Sequence, residues 1–544
     1  MDRNRATVVC NILLYGCIIC LFIFYFYRMY SFCDFPPEYR DAAVIKVVDD
    51  FSKGINPYAV DYLSTDEAPR VVLDSSFLNV FPAALIVKMT SVSPIIALYL
   101  LNFLYIVISM FLIYRCSMLL VSNRSLSLIA AILEFLCMRR GGLLCLRPDT
   151  LAGALIILEI FIVLTCLGHN EKNVEGVSEN KDKCLNLMII LLAFITVIIF
   201  FLKPHYVMIA FSIFLFAIHE KRGFLFCFCG FVTLFCFIMA CSFLFPTHIS
   251  VWGVRLWEMF SGVGSGKSET IYMLNKWVRL MKMFLPIFLG VFFGTGLYVY
   301  YMVKRKEIVV SWKVKFLCIN ILINSIVLCY VGRHPGADLW YFFFMLMPSI
   351  ILLGINFVGK LLEGIKVDFV RIGIGCYLFP LFCFICLFQT LSSIAPRRTS
   401  MELWAEGKGK AYEILSKYES TEMLLSSHLA NYSIERGIYN FNYGDTCYLP
   451  VKRVKGIVLE KAFPFTDDYS NKYCNYANDI VENINNCSYS IITTTADEVN
   501  LTWGGVRDEF TNALLQNYRM IDTFPIHNET QVIFTTFWVP QEDY

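Results

Sequence analysis

Stretches of uncharged, mostly apolar residues long enough to cross a bilayer recur along the first three quarters of this 544-residue chain. A helix needs about 20 such residues to span the hydrocarbon core, and in lipid each backbone N–H and C=O must find its partner within the segment. Val8 to Tyr27 is the first run. Others follow near 94–114, 125–138, 151–168, 187–202, 205–218, 223–244, 284–303, 314–331, 340–358 and 369–391. Those at 125–138 and 205–218 are too short for a full crossing and are expected to be tilted, broken or buried against neighbours. The composition agrees: 57% of residues are hydrophobic and 17% are charged, where a soluble chain carries about a quarter charged. The expected fold class is a polytopic α-helical membrane protein with about eleven transmembrane helices.

The first run is longer than the apolar part of a signal peptide, and no small-residue cleavage site follows it. It reads as a retained span with Arg3 and Arg5 on the cytoplasmic side. An odd number of spans then places three segments outside: a first loop over 28–93, a loop over 245–283 and the tail 393–544. Compact cytoplasmic loops would hold Arg115, Arg124, Lys221, Arg222, Lys304, Arg305, Lys306, Lys313 and Lys315. Most of the 21 cysteines, Cys10, Cys17 and Cys227 among them, lie in apolar runs, where a thiol behaves as a small hydrophobe. No spacing of His, Cys or carboxylates reads as a metal site. The net charge of +2 comes with no basic stripe, so nucleic acid is not an expected partner.

The first external loop is organised. Pro36 and Pro37 can open a helix, and Val44, Val47, Val48 and Phe51 recur at helical spacing before Gly54 and Asn56-Pro57-Tyr58 end it. This pattern predicts an amphipathic helix along the membrane surface. Glu38 and Asp41 are three residues apart, so on that helix they point the same way, and Asp41 continues the stripe of Val44, Ile45 and Val48. Acids in a first helical turn also complement the helix dipole, which is the plain structural alternative. The tail alternates strand-like runs, such as 490–495 and 531–539, with helical stretches at 403–417 and 505–517. It is expected to form a small external α/β domain, with glycosylation sequons at Asn431, Asn486, Asn500 and Asn528. Residues 261–268, Ser-Gly-Val-Gly-Ser-Gly-Lys-Ser, approach a phosphate-binding loop, but Ser261 breaks the pattern and no buried strand precedes it. They read as a flexible turn.

Further ionisable groups gather at the external ends of spans: Arg147 with Asp149, Lys203 with His205, and Arg333 with His334 and Asp338. Interfacial anchoring accounts for any one of them. Cations and acids converging on one face from three loops point instead to a charged headgroup site.

This arrangement resembles the GT-C membrane glycosyltransferases, which draw their sugar from a polyprenyl-phosphate or polyprenyl-diphosphate lipid. The family includes the protein O-mannosyltransferases and the aminoarabinose transferases of lipid A. The likeness rests on the single span before an acidic first loop, Gly54 to Tyr58, Arg147-Pro148-Asp149, Lys203-Pro204 and an external C-terminal domain. It implies a catalytic transmembrane domain over 1–392 and a soluble domain over 393–544. It implies Asp41 as catalytic base with Glu38 the near alternative, since the adjacent acids of better-studied branches are missing here. It implies Asp149 as a second acid binding acceptor or donor, and Lys203, Arg147 and Arg333 at the lipid phosphate, with His205 and His334 beside them. The acceptor would be a glycan, lipid or protein. No cofactor is expected; some members need a divalent cation, though no carboxylate cluster here points to one. A bacterial cytoplasmic membrane is the expected location, with the endoplasmic reticulum as the alternative.

Those residue types suit the chemistry. An acceptor hydroxyl attacking an anomeric carbon needs a carboxylate to take its proton. The departing phosphate needs cations rather than a strong acid, so an inverting displacement asks for one essential carboxylate. A transporter or flippase is the rival from another class and would use Glu134 and Glu159 inside spans. A polysaccharide polymerase or ligase is the nearest enzymatic rival.

Overall fold

The computed structural model describes residues 3–33, 39–57, 77–142, 146, 148–170, 178–203, 206–207, 209–245, 270–282, 311–333, 340–364, 398–418, 422–426, 429, 432, 436, 441–442, 480–495, 507–527 and 532–541. Every predicted span that falls on them is helical. These are α1 (Arg3–Phe32), α4 (Pro94–Val121), α5 (Arg124–Gly142), α6 (Asp149–Asn170), α7 (Ser178–Leu202), α8 (Ile209–His219), α9 (Gly223–Leu244), α11 (Trp312–Val331) and α12 (Trp340–Gly364). Between them lie α2 (Tyr39–Ser52), α3 (Phe77–Thr90) and α10 over 270–282. Six of the described helices are long and apolar enough to cross a membrane, and the chain is an integral membrane protein. The runs at 284–303 and 369–391 and the loop at 261–268 lie outside the described residues.

Two compact units divide the chain. The first holds residues 1–27, 99–237 and 262–394, and the second 28–98, 238–261 and 395–544. In the first, α1 buries Leu14, Leu21 and Tyr25 and exposes Ile12, Leu13, Ile19 and Ile23, the one-sided burial of a helix at a bundle's lipid boundary. Its Tyr25 hydroxyl donates to the Tyr99 carbonyl at 2.7 Å and accepts from Asn102 at 3.3 Å. The short run at 125–138 is buried almost throughout in α5, which packs on α12. Four polar side chains join α8, α11 and α12. Ser212 donates to Asn320 Oδ1 at 2.8 Å, and Asn320 donates to Ser349 at 2.8 Å. Asn324 donates to Asn320 Oδ1 and to the Met345 carbonyl, both at 3.0 Å. Pro348 sits inside α12 and cannot donate to the Phe344 carbonyl, which neighbours the Met345 carbonyl that accepts from Asn324.

In the second unit α2 occupies the predicted stretch, but its setting differs from the expectation. Val44, Val47 and Val48 are buried as the spacing required, and so are Lys46, Asp49 and Asp50. Lys46 pairs with Asp50 one turn on, and Lys53 with Asp49, which lets a nominally polar face enter the interior. Burial pulls the Lys46 ammonium below its ordinary pKa, with Asp50 acting in the opposite sense. α2 packs on α3, a helix in the stretch where the sequence predicts loop.

The tail forms a five-stranded sheet in the order β2-β1-β3-β5-β4, built from β1 (Met423–Ser426), β2 (Phe441–Asn442), β3 (Ile491–Thr495), β4 (Tyr518–His527) and β5 (Val532–Pro540). β1 runs parallel to β2 and β3, while β5 is antiparallel to β3 and β4. α13 (Arg398–Ser416) packs on β4, α14 covers 480–485 and α15 is Arg507–Asn517. The predicted strands at 490–495 and 531–539 and helices at 403–417 and 505–517 correspond to β3, β5, α13 and α15. Leu424, Ile480, Ile484, Ile492, Phe510 and Leu514 form the core of this part. Tyr518 closes it: its hydroxyl donates to the Tyr489 carbonyl at 2.8 Å and accepts from the Tyr489 N–H at 3.1 Å. Tyr518→Phe removes both of these buried hydrogen bonds and should lower the stability of the tail by about 1–3 kcal/mol in denaturant titration.

Candidate functional site

Pro148 precedes α6 and its carbonyl accepts the Ala152 N–H at 3.0 Å, so Asp149 stands in the first helical turn, where the macrodipole favours a carboxylate. Lys203 directly follows α7. Its N–H still bonds to the Ile199 carbonyl at 3.0 Å, and its own carbonyl accepts the Tyr206 N–H at 3.0 Å. That turn brings the side chains of Lys203 and Tyr206 to one place. The Lys203 ammonium donates to both oxygens of Asp149 at 2.9 Å, and the Tyr206 hydroxyl donates to Asp149 Oδ1 at 2.6 Å.

The three groups differ in access. The side chain of Asp149 is 1% exposed and that of Lys203 is 23% exposed, while Tyr206 is fully buried. The pair therefore opens on its cationic side. An acid whose two oxygens hold an ammonium and a phenol is better placed to orient that cation than to take a proton. Next along α6, the buried Thr150 hydroxyl has no hydrogen-bond partner among the described residues.

The surroundings are tight. Tyr206 meets Phe344 edge-on, with ring centroids 6.4 Å apart. A Cβ added at Gly153 would lie 2.5 Å from Phe344 Cδ1 and 3.2 Å from Met138 Cε. Gly153→Ala should thus displace Phe344 from beneath Tyr206 and destabilise the bundle by about 1–3 kcal/mol, read by thermal unfolding in detergent.

Of the residues singled out from the sequence, Asp149 and Lys203 are brought together, across 54 positions of chain. Arg333 is exposed just beyond α11, next to Gly332, whose carbonyl accepts from Lys276 at 3.2 Å. Asp41 is in the first turn of α2, in the other unit, and its side chain lies outside the described residues, as do Glu38, Arg147, His205 and His334. Tyr206 and Thr150 were not foreseen. Both sit beside named residues, and the signal was a hydroxyl-bearing residue next to each charge. Among the described residues no three His, Cys, Asp or Glu side chains gather as a metal site would require.

No protein-family model and no curated protein matches the sequence. Solved structures do. The apo oligosaccharyltransferase of Archaeoglobus fulgidus aligns with a TM-score of 0.50 at 11% identity, over 89% of this chain and 69% of its own. The same enzyme in complex with Zn and sulfate gives 0.49 at 11% identity, over 92% and 69%. ArnT from Cupriavidus metallidurans, bound to undecaprenyl phosphate, gives 0.48 at 7% identity, over 96% and 98%. The chain has the fold of the GT-C membrane glycosyltransferases.

Proposed function

We propose that this protein transfers a sugar from a polyprenyl-phosphate or polyprenyl-diphosphate lipid to an acceptor hydroxyl on the extracytoplasmic face of its membrane. The observation that carries the reading is the Asp149–Lys203–Tyr206 group, set in a bundle of this fold with its cation towards the opening. A lipid phosphate needs a positive charge held at the headgroup level. Asp149 would hold Lys203 there, Tyr206 would fix the carboxylate, and the Thr150 hydroxyl would donate to the same phosphate.

Arg147 and Arg333, with His205 and His334, would complete the anion site, and Asp41 would take the proton of the acceptor, with Glu38 as the alternative base. Charge grows on the departing phosphate as the glycosidic bond breaks, so fixed cations beside it stabilise the transition state more than the ground state. Inversion at the anomeric carbon follows from a single displacement. A bacterial cytoplasmic membrane remains the proposed location.

The test is to reconstitute the purified protein in nanodiscs with a panel of polyprenyl-phosphate sugars and acceptors and to follow donor consumption by mass spectrometry. Release of the lipid phosphate from one donor is the expected result. Movement of intact lipid-linked saccharide across vesicles, with no cleavage, would instead support a carrier working through the buried Glu134 and Glu159.

A further inference from the structure

We infer that Asn320 and Asn324 are positioning residues for the candidate site. Their amides clamp α12 on both sides of Pro348 and tie it to the start of α8, which holds Phe344 against Tyr206 and so keeps the Tyr206 hydroxyl on Asp149.

Pro348 has no N–H to give the Phe344 carbonyl, so the backbone ladder of α12 is interrupted there. Such a break leaves the angle between the two halves of a helix to be set from outside. Asn324 donates to the Met345 carbonyl at 3.0 Å, on the N-terminal side of the break, and Asn320 donates to the Ser349 hydroxyl at 2.8 Å, on its C-terminal side. The two asparagines are one turn apart on α11. The remaining N–H of Asn324 joins them, donating to Asn320 Oδ1 at 3.0 Å. The same oxygen accepts from Ser212 at 2.8 Å, in the first turn of α8.

Both rings of one aromatic contact hang on this clamp. Phe344 directly precedes Met345, on the half of α12 that Asn324 holds. Tyr206 stands three residues before α8, the helix that Ser212 ties to Asn320. The rings meet edge-on with centroids 6.4 Å apart, and the Tyr206 hydroxyl donates to Asp149 Oδ1.

Stability alone is a poor account of these asparagines. Ser212, Asn320, Asn324 and Ser349 are all buried, and Asn324 Oδ1 has no hydrogen-bond partner among the described residues. An apolar side chain would avoid that cost. What asparagine adds is two N–H donors on one rigid amide, here spent on Met345 and on Asn320.

Fluorine NMR reads the placement of Tyr206 without reference to sugar transfer. Tyr206→3-fluorotyrosine is introduced into otherwise wild-type protein, into Asn324→Leu, into Asn320→Leu and into the double variant, all in the same nanodiscs. Asn324→Leu should shift or double the resonance. Asn320→Leu should do likewise, and the double variant should add little, since either change opens the same clamp. Ser349→Ala, the mildest cut, should move the resonance less and keeps the test open should a leucine variant fail to fold. Asn102→Leu removes a buried amide between α1 and α4 and should leave the resonance in place. A resonance unmoved in all the clamp variants, or moved as far by Asn102→Leu, would overturn the inference. The effect on turnover rests on the sugar-transfer reading above: where that holds, the clamp variants should lower kcat/KM for the lipid donor severalfold. An unchanged kcat/KM in a variant whose resonance has moved would overturn the positioning role, whereas a wild type that transfers no sugar would count against the transfer reading and leave the clamp to the fluorine result.

Discussion

Lys203→Met is expected to destabilise the protein by about 3–5 kcal/mol, the cost of leaving one member of a buried ion pair without its partner. The asymmetry of the pair gives the reason. Asp149 is almost fully enclosed, whereas Lys203 reaches the surface. Removing the lysine takes the ammonium from both oxygens of a carboxylate that cannot turn towards water, with the Tyr206 hydroxyl still donating to Oδ1. Removing the acid, as in Asp149→Leu, leaves a cation that can bend outward, and should cost less. Lys203→Arg keeps the charge and should fall between wild type and Lys203→Met. The double variant Asp149→Leu/Lys203→Met should be more stable than Lys203→Met alone, since both buried charges are then gone. Denaturant titration of the wild type and the four variants in one detergent measures the set. A Lys203→Met protein as stable as wild type would mean that the pair does not form.

The second large effect is on rate. Asp41→Asn should lower sugar transfer by about 10²- to 10⁴-fold, the usual contribution of a positioned general base, with the unfolding transition nearly unchanged. Asparagine keeps the shape and loses the charge, and a charge in the first turn is worth only about 0.3–1 kcal/mol to a helix. The scaffold suits such a role. Beyond Asp41, α2 is buried from Val44 to Asp50 and tied internally by Lys46–Asp50, so its first turn is carried on a firm element. Glu38→Gln should have the smaller effect. The reverse order, an inactive Glu38→Gln and an active Asp41→Asn, would transfer the base to Glu38. Full activity in both variants would remove the first-loop acids from the mechanism.

Much of the bundle was legible because its defining signal is local. A run of apolar residues in lipid becomes a helix whatever surrounds it. The tail was legible for a similar reason, since 490–495 and 531–539 are short runs of β-branched and aromatic residues set between helical stretches. α3 was missed because its 14 residues fall short of a span and Pro82 interrupts them, so they read as loop. The setting of α2 was misjudged from its charges. Lys46, Asp49 and Asp50 mark a watery face in one dimension, and only the i, i+4 pairing reveals how they can be buried. At the candidate site, each charge stood out against its apolar surroundings, but the bond between Asp149 and Lys203 depends on two helix ends meeting. No spacing in the chain encodes that.

The order of strands in the tail has a bearing on biosynthesis. β5, the last of the five to be translated, is an interior strand, hydrogen-bonded to β3 on one side and β4 on the other. Until the ribosome has released residue 540, β3 and β4 both lack the strand that joins them, although α13 and α15 contact β4. A nascent tail would thus hold β4 through α13, α15 and the Tyr518–Tyr489 bonds and complete its sheet in a late step. Nonsense changes upstream of Val532 should consequently send the protein to quality-control proteolysis rather than yield a shortened but folded product.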